Sequence, residues 1–230
     1  DKPRFVGTPA MSSLCKHLAI GQDLSFGVRV ARIESSAGLV TLFDEHGDPL
    51  GEFDSAVCTA PPAQTVDLIA EAAPELAFRA ASVTMKPCWA VMAAFESSLD
   101  APYDGAFINE GPLSWIARTS SKPYRIAQPD RWVLHGSASW SEQHLDGPAE
   151  RVAEELLATL FRSTRLPARA PVHVVAHRWR YAIAENPLEE GCLYDERSRI
   201  GACGDWADGN RVEGAILSGV AMARRIAEPA

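Results

Sequence analysis

The chain changes character twice along its length, and this limits the folds open to it more than any single motif does. Its first part alternates short strands with helices. Residues 9–19 read as a short helix capped by Ser12, with Met11, Leu14 and Leu18 on one face. Phe26, Val28 and Val30 alternate with polar or small residues, the pattern of a half-buried strand. Leu39 to Phe43 reads as a second strand, and Asp44-Glu45-His46-Gly47-Asp48-Pro49 as a turn; its acids lack the spacing of an EF-hand calcium loop. Ser55 to Ala60 is a short apolar run stopped by Pro61-Pro62, as in a parallel strand buried on both faces. Residues 63–82 are alanine-rich and predicted helical, with a break at Pro74.

The middle is different. Segments 83–95, 105–109, 113–119 and 132–140 are rich in aromatic and β-branched residues, which predicts an antiparallel sheet. Residues 148–163 give the clearest helical period. Asp146 or Gly147 would cap this helix, with Pro148 near its first turn and Val152, Leu156, Leu160 and Phe161 facing inward. Residues 172–182 read as one more long strand. The end then returns to the first character. Arg199 to Asp205 is a short strand entering a turn, and a helix follows with Val212, Ala215, Ile216, Gly219, Val220 and Ala223 on one stripe. An inserted domain explains a composition that shifts out and back. The expected boundaries are 1–64 and 191–230 for the α/β part and 65–190 for the insertion.

A net charge of −8 makes a nucleic-acid backbone a poor partner. No basic run suggests an anionic membrane surface, and no apolar stretch is long enough to span a bilayer. Five cysteines without a C-x-x-C indicate neither a disulfide frame nor a zinc site. Reduced thiols in apolar runs fit a reducing cytosol, so a cytoplasmic location is expected. The opening Asp1-Lys2-Pro3-Arg4-Phe5 has no methionine and reads as part of something longer.

The closing segment carries the chemistry. Ala202-Cys203-Gly204-Asp205-Trp206 is followed by Arg211-Val212-Glu213-Gly214-Ala215 and a helix of small residues. A carboxylate at a strand end can accept hydrogen bonds from a ribityl chain. Free N–H groups at the next helix start suit the pyrimidine edge of a flavin, where negative charge develops on reduction. Gly214, Ala215, Ser218 and Gly219 would let that helix lie close to the sheet and the cofactor. Taken alone, the same spacing also serves an ordinary turn and a tightly packed helix.

The stretch from Gly204 to Ala223 resembles the C-terminal flavin motif of the amine oxidase and renalase-like superfamily. Further segments resemble the renalase-like branch, in the same order. They are Val6-Gly7-Thr8-Pro9-Ala10-Met11-Ser12, Phe53-Asp54-Ser55-Ala56-Val57 with Ala60-Pro61, Lys86-Pro87-Cys88-Trp89-Ala90, Trp115 through Pro123, and His177-Arg178-Trp179-Arg180-Tyr181-Ala182. The resemblance implies an α/β fold: the C-terminal part of a FAD-binding Rossmann-like domain with an inserted antiparallel-sheet and helix substrate domain. It implies that Gly204, Asp205, Arg211, Val212, Glu213 and Ala215 border the flavin, with Asp205 on the ribityl chain and Arg211 to Glu213 offering backbone N–H groups. It also matches Val30 to a residue whose backbone meets adenine; a plain core strand residue is the equal alternative.

Two departures matter. Ala10 stands where a glycine is usual. The G-x-G-x-x-G loop that cradles a pyrophosphate is absent from the 230 residues, so they are expected to hold FAD weakly or not at all. The missing upstream segment is thus an expected partner, alongside a small-molecule substrate. The implied activity is oxidation of a reduced dihydronicotinamide by hydride transfer to FAD, with dioxygen as acceptor and hydrogen peroxide as product. A flavin amine oxidase is the alternative within enzymes, and a cofactor-free fragment the alternative outside them. Hydride transfer needs a flat apolar slot more than an acid or base, so no catalytic side chain is assigned. Trp89, Trp115, Arg118, His177 and Trp179 are the candidates for the substrate wall, with the arginine steering an anionic group. Core packing is the competing role for the tryptophans, and a structural role for His177. No G-x-S-x-G elbow, G-x-x-x-x-G-K loop or metal-spaced cluster occurs.

Overall fold

A computed structural model describes residues 5–228. The expectation drawn from the chain's opening rests on Asp1–Arg4, which lie outside them. In chain order the elements are α1 (Ser13–Leu18), β1 (Arg32–Ser36), β2 (Leu39–Phe43), β3 (Pro49–Phe53), β4 (Ala56–Cys58), α2 (Pro62–Ile69) and α3 (Pro74–Ala81). There follow β5 (Met85–Phe95), β6 (Gly105–Phe107), β7 (Leu113–Arg118), β8 (Asp130–Gly136), α4 (Ala138–Gln143) and α5 (Ala149–Thr164). The chain closes with β9 (His173–Ala184), β10 (Leu193–Asp195), β11 (Ile200–Ala202), a 3₁₀ turn Asp205–Ala207 and α6 (Val212–Ala227).

Two compact units result. Among the described residues, one joins 25–86 with 181–228, the other 5–24 with 87–180. The divisions therefore fall at 24/25, 86/87 and 180/181, against the expected 64/65 and 190/191, and the segment before Ser25 groups with the sheet unit. The reason is packing. Ile69 of α2 and Leu76, Ala77 and Ala80 of α3 bury in the same core as Ile200, Ala202 and Trp206.

In the α/β unit, β1, β2 and β3 form an antiparallel meander. The β2–β3 turn is held by Asp44, whose Oδ1 accepts from the N–H groups of His46 at 2.8 Å and Asp48 at 2.9 Å. The bond from Asp48 leads the effects that hold this carboxyl below its usual range. Gly47 sits at φ 85° there, a left-handed position that favours glycine. A second sheet runs β10-β11-β4, with β11 parallel to β4 and antiparallel to β10. Prolines open both α2 and α3, where their missing N–H costs nothing.

Three local expectations change in this unit. No strand forms over Phe26–Val30: the alternation is present, but no strand among the described residues pairs with it, and the first ladder begins at Arg32. β4 is not buried on both faces, because Val57 remains 37% exposed. On α6 the buried stripe is Gly214, Ser218 and Met222, not the predicted one; Val212, Ile216 and Val220 are exposed. α1, which groups with the sheet unit, has no buried residue.

The second unit is a five-stranded sheet in the order β6-β7-β8-β5-β9, backed by α5. Residues 137–140, expected as strand, begin α4 instead, and α5 is preceded by Pro148 as its cap rather than Asp146 or Gly147. Strand alternation sorts the sheet into two faces. Trp89, Val91, Ala93 and Phe95 of β5, Ile116 of β7 and Trp132 and Leu134 of β8 pack on Val152, Leu156 and Leu160 of α5. Phe161 is only partly buried against them. The opposite face carries Trp115, Val133, His135, Ala90 and Met92 and is partly uncovered: Met92 is 40% exposed, although Ala90 is buried. No helix among the described residues is long and apolar enough to cross a membrane.

Candidate functional site

The closing motif is built by β11, the 3₁₀ turn and α6. β11 is fully buried and delivers Cys203 and Gly204 to the sheet end. Gly204 has extended backbone, so its side-chain-free state is required by space. A Cβ there would lie 2.7 Å from Trp206 Nε1. The Trp206 indole is buried and donates to the Ala60 carbonyl at 3.2 Å, tying the end of β4 to the end of β11. The buried Ser218 hydroxyl accepts from Gly204 N–H at 3.0 Å and donates to the Gly191 carbonyl. Asp205 is half-buried, and its carboxylate makes no hydrogen bond or ion pair among the described residues. Arg211 caps α6 in extended conformation and accepts the first helical bond, from Ala215 N–H. The N–H groups of Val212, Glu213 and Gly214 are left without partners among the described residues. The Ala215 N–H is used in that helical bond. Gly219 is not pressed against the sheet: a Cβ there meets nothing within 4 Å.

Val30 takes the core alternative with its side chain, which packs against the buried cluster of this unit. Its backbone makes no hydrogen bond among the described residues; pairing with β2 resumes at Ala31, whose N–H bonds the Phe43 carbonyl at 2.8 Å.

In the sheet unit the five candidates separate. Trp89 is 4% exposed on the helix-covered face, with Nε1 donating to the His144 carbonyl at 3.0 Å, so it is core. Arg118 lies on that face too. Its Nε bonds Asp130 at 2.7 Å, so it is engaged by a buried carboxylate and not free to steer an anion. Trp115, His177 and Trp179 lie on the open face. Trp115 pairs across the strands with His135 and sits 4.6 Å, ring to ring, from Phe107. His177 and Trp179 meet edge to face at 4.6 Å, and Trp179 is 55% exposed.

Two residues at or beside this face, His135 of β8 and Lys122 of the β7–β8 loop, receive no role from the sequence. His135 is flanked by Trp115 on β7 and Ala90 on β5. Burial, and then the positive charge of Lys122, hold its imidazole below the usual value. Lys122 is itself lowered by burial and then by Arg125. The alternation Trp132, Leu134 against Val133, His135 was the signal available for it. Replacing Lys122 by methionine removes the positive neighbour, so the His135 pKa is expected to rise toward that of a free imidazole. An NMR titration reads this directly, and an unchanged midpoint would separate the two groups.

The sequence pattern of the family described as flavin containing amine oxidoreductase matches residues 2–227. Solved structures share the fold. A putative protoporphyrinogen oxidase from Exiguobacterium sp. 255-15 matches with TM-score 0.69 at 18% identity, over 95% of this chain and 51% of that one. Cyclohexylamine oxidase from Brevibacterium oxydans IH-35A matches with TM-score 0.69 at 17% identity, over 94% and 51%. A putrescine oxidase variant matches with TM-score 0.63 at 15% identity, over 94% and 51%. The chain thus spans about half the length of these structures. Its fold is theirs, and across almost its whole length the chain belongs to the flavin containing amine oxidoreductase family.

Proposed function

We propose that the chain serves a FAD-dependent oxidase of renalase type, which takes a hydride from a reduced dihydronicotinamide. A bound flavin would supply the hydride acceptor, with dioxygen as the final oxidant and hydrogen peroxide as product. The residues of the α/β unit fit such a group. Asp205 has a free carboxylate for ribityl hydroxyls. The unpaired N–H groups of Val212 and Glu213 point out of a helix start, where they favour negative charge. Val30 offers its backbone to an adenine edge while its side chain stays in the core.

The observation that carries the substrate reading is the open sheet face. Its side chains include Phe107, Trp115, Val133, His135, Met92, His177 and Trp179, which are flat, apolar or imidazole, with Arg131 on the same face of β8; none of these is acidic. Such a wall holds an uncharged ring by stacking and offers no carboxylate to an ammonium. The amine oxidase reading keeps support from the family itself. Anaerobic flavin reduction of the holoenzyme separates the two: dihydronicotinamides are expected to react faster than primary or cyclic amines, and faster reduction by amines overturns the choice. Asp205→Ala is expected to weaken flavin retention about tenfold, the loss of roughly one charge-assisted hydrogen bond. Full retention of flavin in that variant would remove Asp205 from the site.

A further inference from the structure

We propose that the loop between β7 and β8 is a receptor for a phosphate group, formed by Lys122, Arg125 and Arg131 beside the open sheet face. Residues 119–129 make up this loop and contain no acid. Its base is closed on Arg131, whose carbonyl accepts from Thr119 N–H at 2.6 Å and whose N–H bonds the Ser120 hydroxyl at 3.2 Å. Inside it, Arg125 N–H bonds the Lys122 carbonyl at 3.2 Å, which draws the two cationic residues into one turn. The Arg131 side chain reaches back to the Ile126 carbonyl. Three cationic side chains therefore converge on one short loop.

Their hydrogen bonding is incomplete. Arg125 Nε and Nη2 and Arg131 Nε are shielded from solvent and have no partner. Among the described residues neither arginine nor Lys122 forms an ion pair. Asp130, adjacent in sequence, cannot serve: its oxygens are taken by Arg118, Ser120, Trp132 and the Leu99 N–H on the other face. Buried guanidinium donors left unmade are costly, and like charges held together add to the cost. A tetrahedral anion with several acceptor oxygens satisfies the donors and cancels the repulsion at once. Burial is the main cause that lowers Lys122 and His135; the second, Arg125 for Lys122 and Lys122 for His135, fits the same crowding of positive charge. In a protein of net charge −8 this is a local reversal of sign, which selects an anionic group at this place.

The site stands on the loop itself, and only the identity of the phosphate carrier rests on the dihydronicotinamide reading. On that reading the loop holds the phosphate of a nicotinamide nucleotide, which places its ring against the aromatic face. Calorimetry on the holoenzyme tests it with nicotinamide mononucleotide, nicotinamide riboside and inorganic phosphate. The mononucleotide is expected to bind at least about tenfold tighter than the riboside. Arg125→Gln and Lys122→Met are each expected to remove most of that difference while leaving riboside affinity unchanged. Neither change should unfold the loop, because each lowers like-charge repulsion. Phosphate binding should also raise the His135 pKa in an NMR titration. Equal binding of mononucleotide and riboside in the unmodified protein, or a difference that survives Arg125→Gln, overturns the site and means that water satisfies the arginines. If phosphate binds as expected but dihydronicotinamides fail to reduce the flavin, the receptor stands and the proposed reaction falls.

Discussion

Asp130→Ala is expected to destabilise the sheet unit by about 3–5 kcal/mol, the usual result of removing one partner from a buried ion pair. Asp130 is 1% exposed and accepts four hydrogen bonds. Oδ1 takes Arg118 Nε at 2.7 Å and the Ser120 hydroxyl at 2.7 Å; Oδ2 takes Leu99 N–H at 3.0 Å and Trp132 Nε1 at 3.1 Å. These donors come from β7, from the segment after β5, from the β7–β8 loop and from β8 itself. Alanine leaves all four unmade and a guanidinium without its counter-charge. Asn keeps the volume and some acceptor capacity, so its cost should be smaller, about 1–3 kcal/mol.

The same carboxylate predicts a pH dependence. Burial is the largest single influence and raises its pKa, but the bonds from Ser120, Leu99, Trp132 and Arg118 together outweigh it, and the net shift is downward. A folded-state pKa below the unfolded one gives stability that is present above the unfolded value, about 3.9, and lost as pH falls through the folded value. The urea midpoint should therefore fall on acidification below about pH 4 in the unmodified protein, with a smaller drop in Asp130→Asn. An Asp130→Ala protein that unfolds at the unmodified midpoint would show that the network holds nothing.

What was legible in the sequence follows from which physical signal each element carries. Aromatic and β-branched richness over β5, β7 and β8 reports a sheet, and the long 3.6 period of α5 reports a helix. Both were recovered because burial of apolar faces fixes them. Phe26–Val30 alternates apolar with polar or small residues and has no ladder, since a strand also needs a neighbour with free backbone groups. The site was legible as a motif and less so as geometry. Residue type pointed to Trp89 and Arg118 as readily as to Trp115 and His177. Only strand register decides between the faces, and it sends the first two to the core. α6 shows the opposite failure. Its apolar residues suggest the wrong stripe because close approach, rather than hydrophobicity, selects the buried side. Gly201 leaves room for Met222, and Gly214 for the 208 carbonyl.

That close approach gives the second large effect. Gly214→Ala is expected to cost about 2–3 kcal/mol and to displace the start of α6. A Cβ at Gly214 would lie 2.1 Å from the Asp208 carbonyl oxygen and 2.9 Å from its carbon. Both are backbone atoms, so no side-chain rotation relieves the clash. The loop that carries them is pinned on its far side. The Asn210 side chain accepts from Ala184 N–H and donates to the Ala184 carbonyl, both at 2.6 Å. Gly209, at φ 93°, holds a conformation few other residues adopt. The helix must therefore move, and with it the unpaired N–H groups of Val212 and Glu213. Gly219→Ala is the matched control on the same helix. A Cβ there meets nothing, so alanine should stabilise by about 0.5–1 kcal/mol through helix propensity alone. Denaturant midpoints of the two variants should move in opposite directions, and flavin retention should fall only in Gly214→Ala. Equal midpoints would mean that the Asp208 carbonyl yields freely, and that the position of the α6 start is not set by this contact.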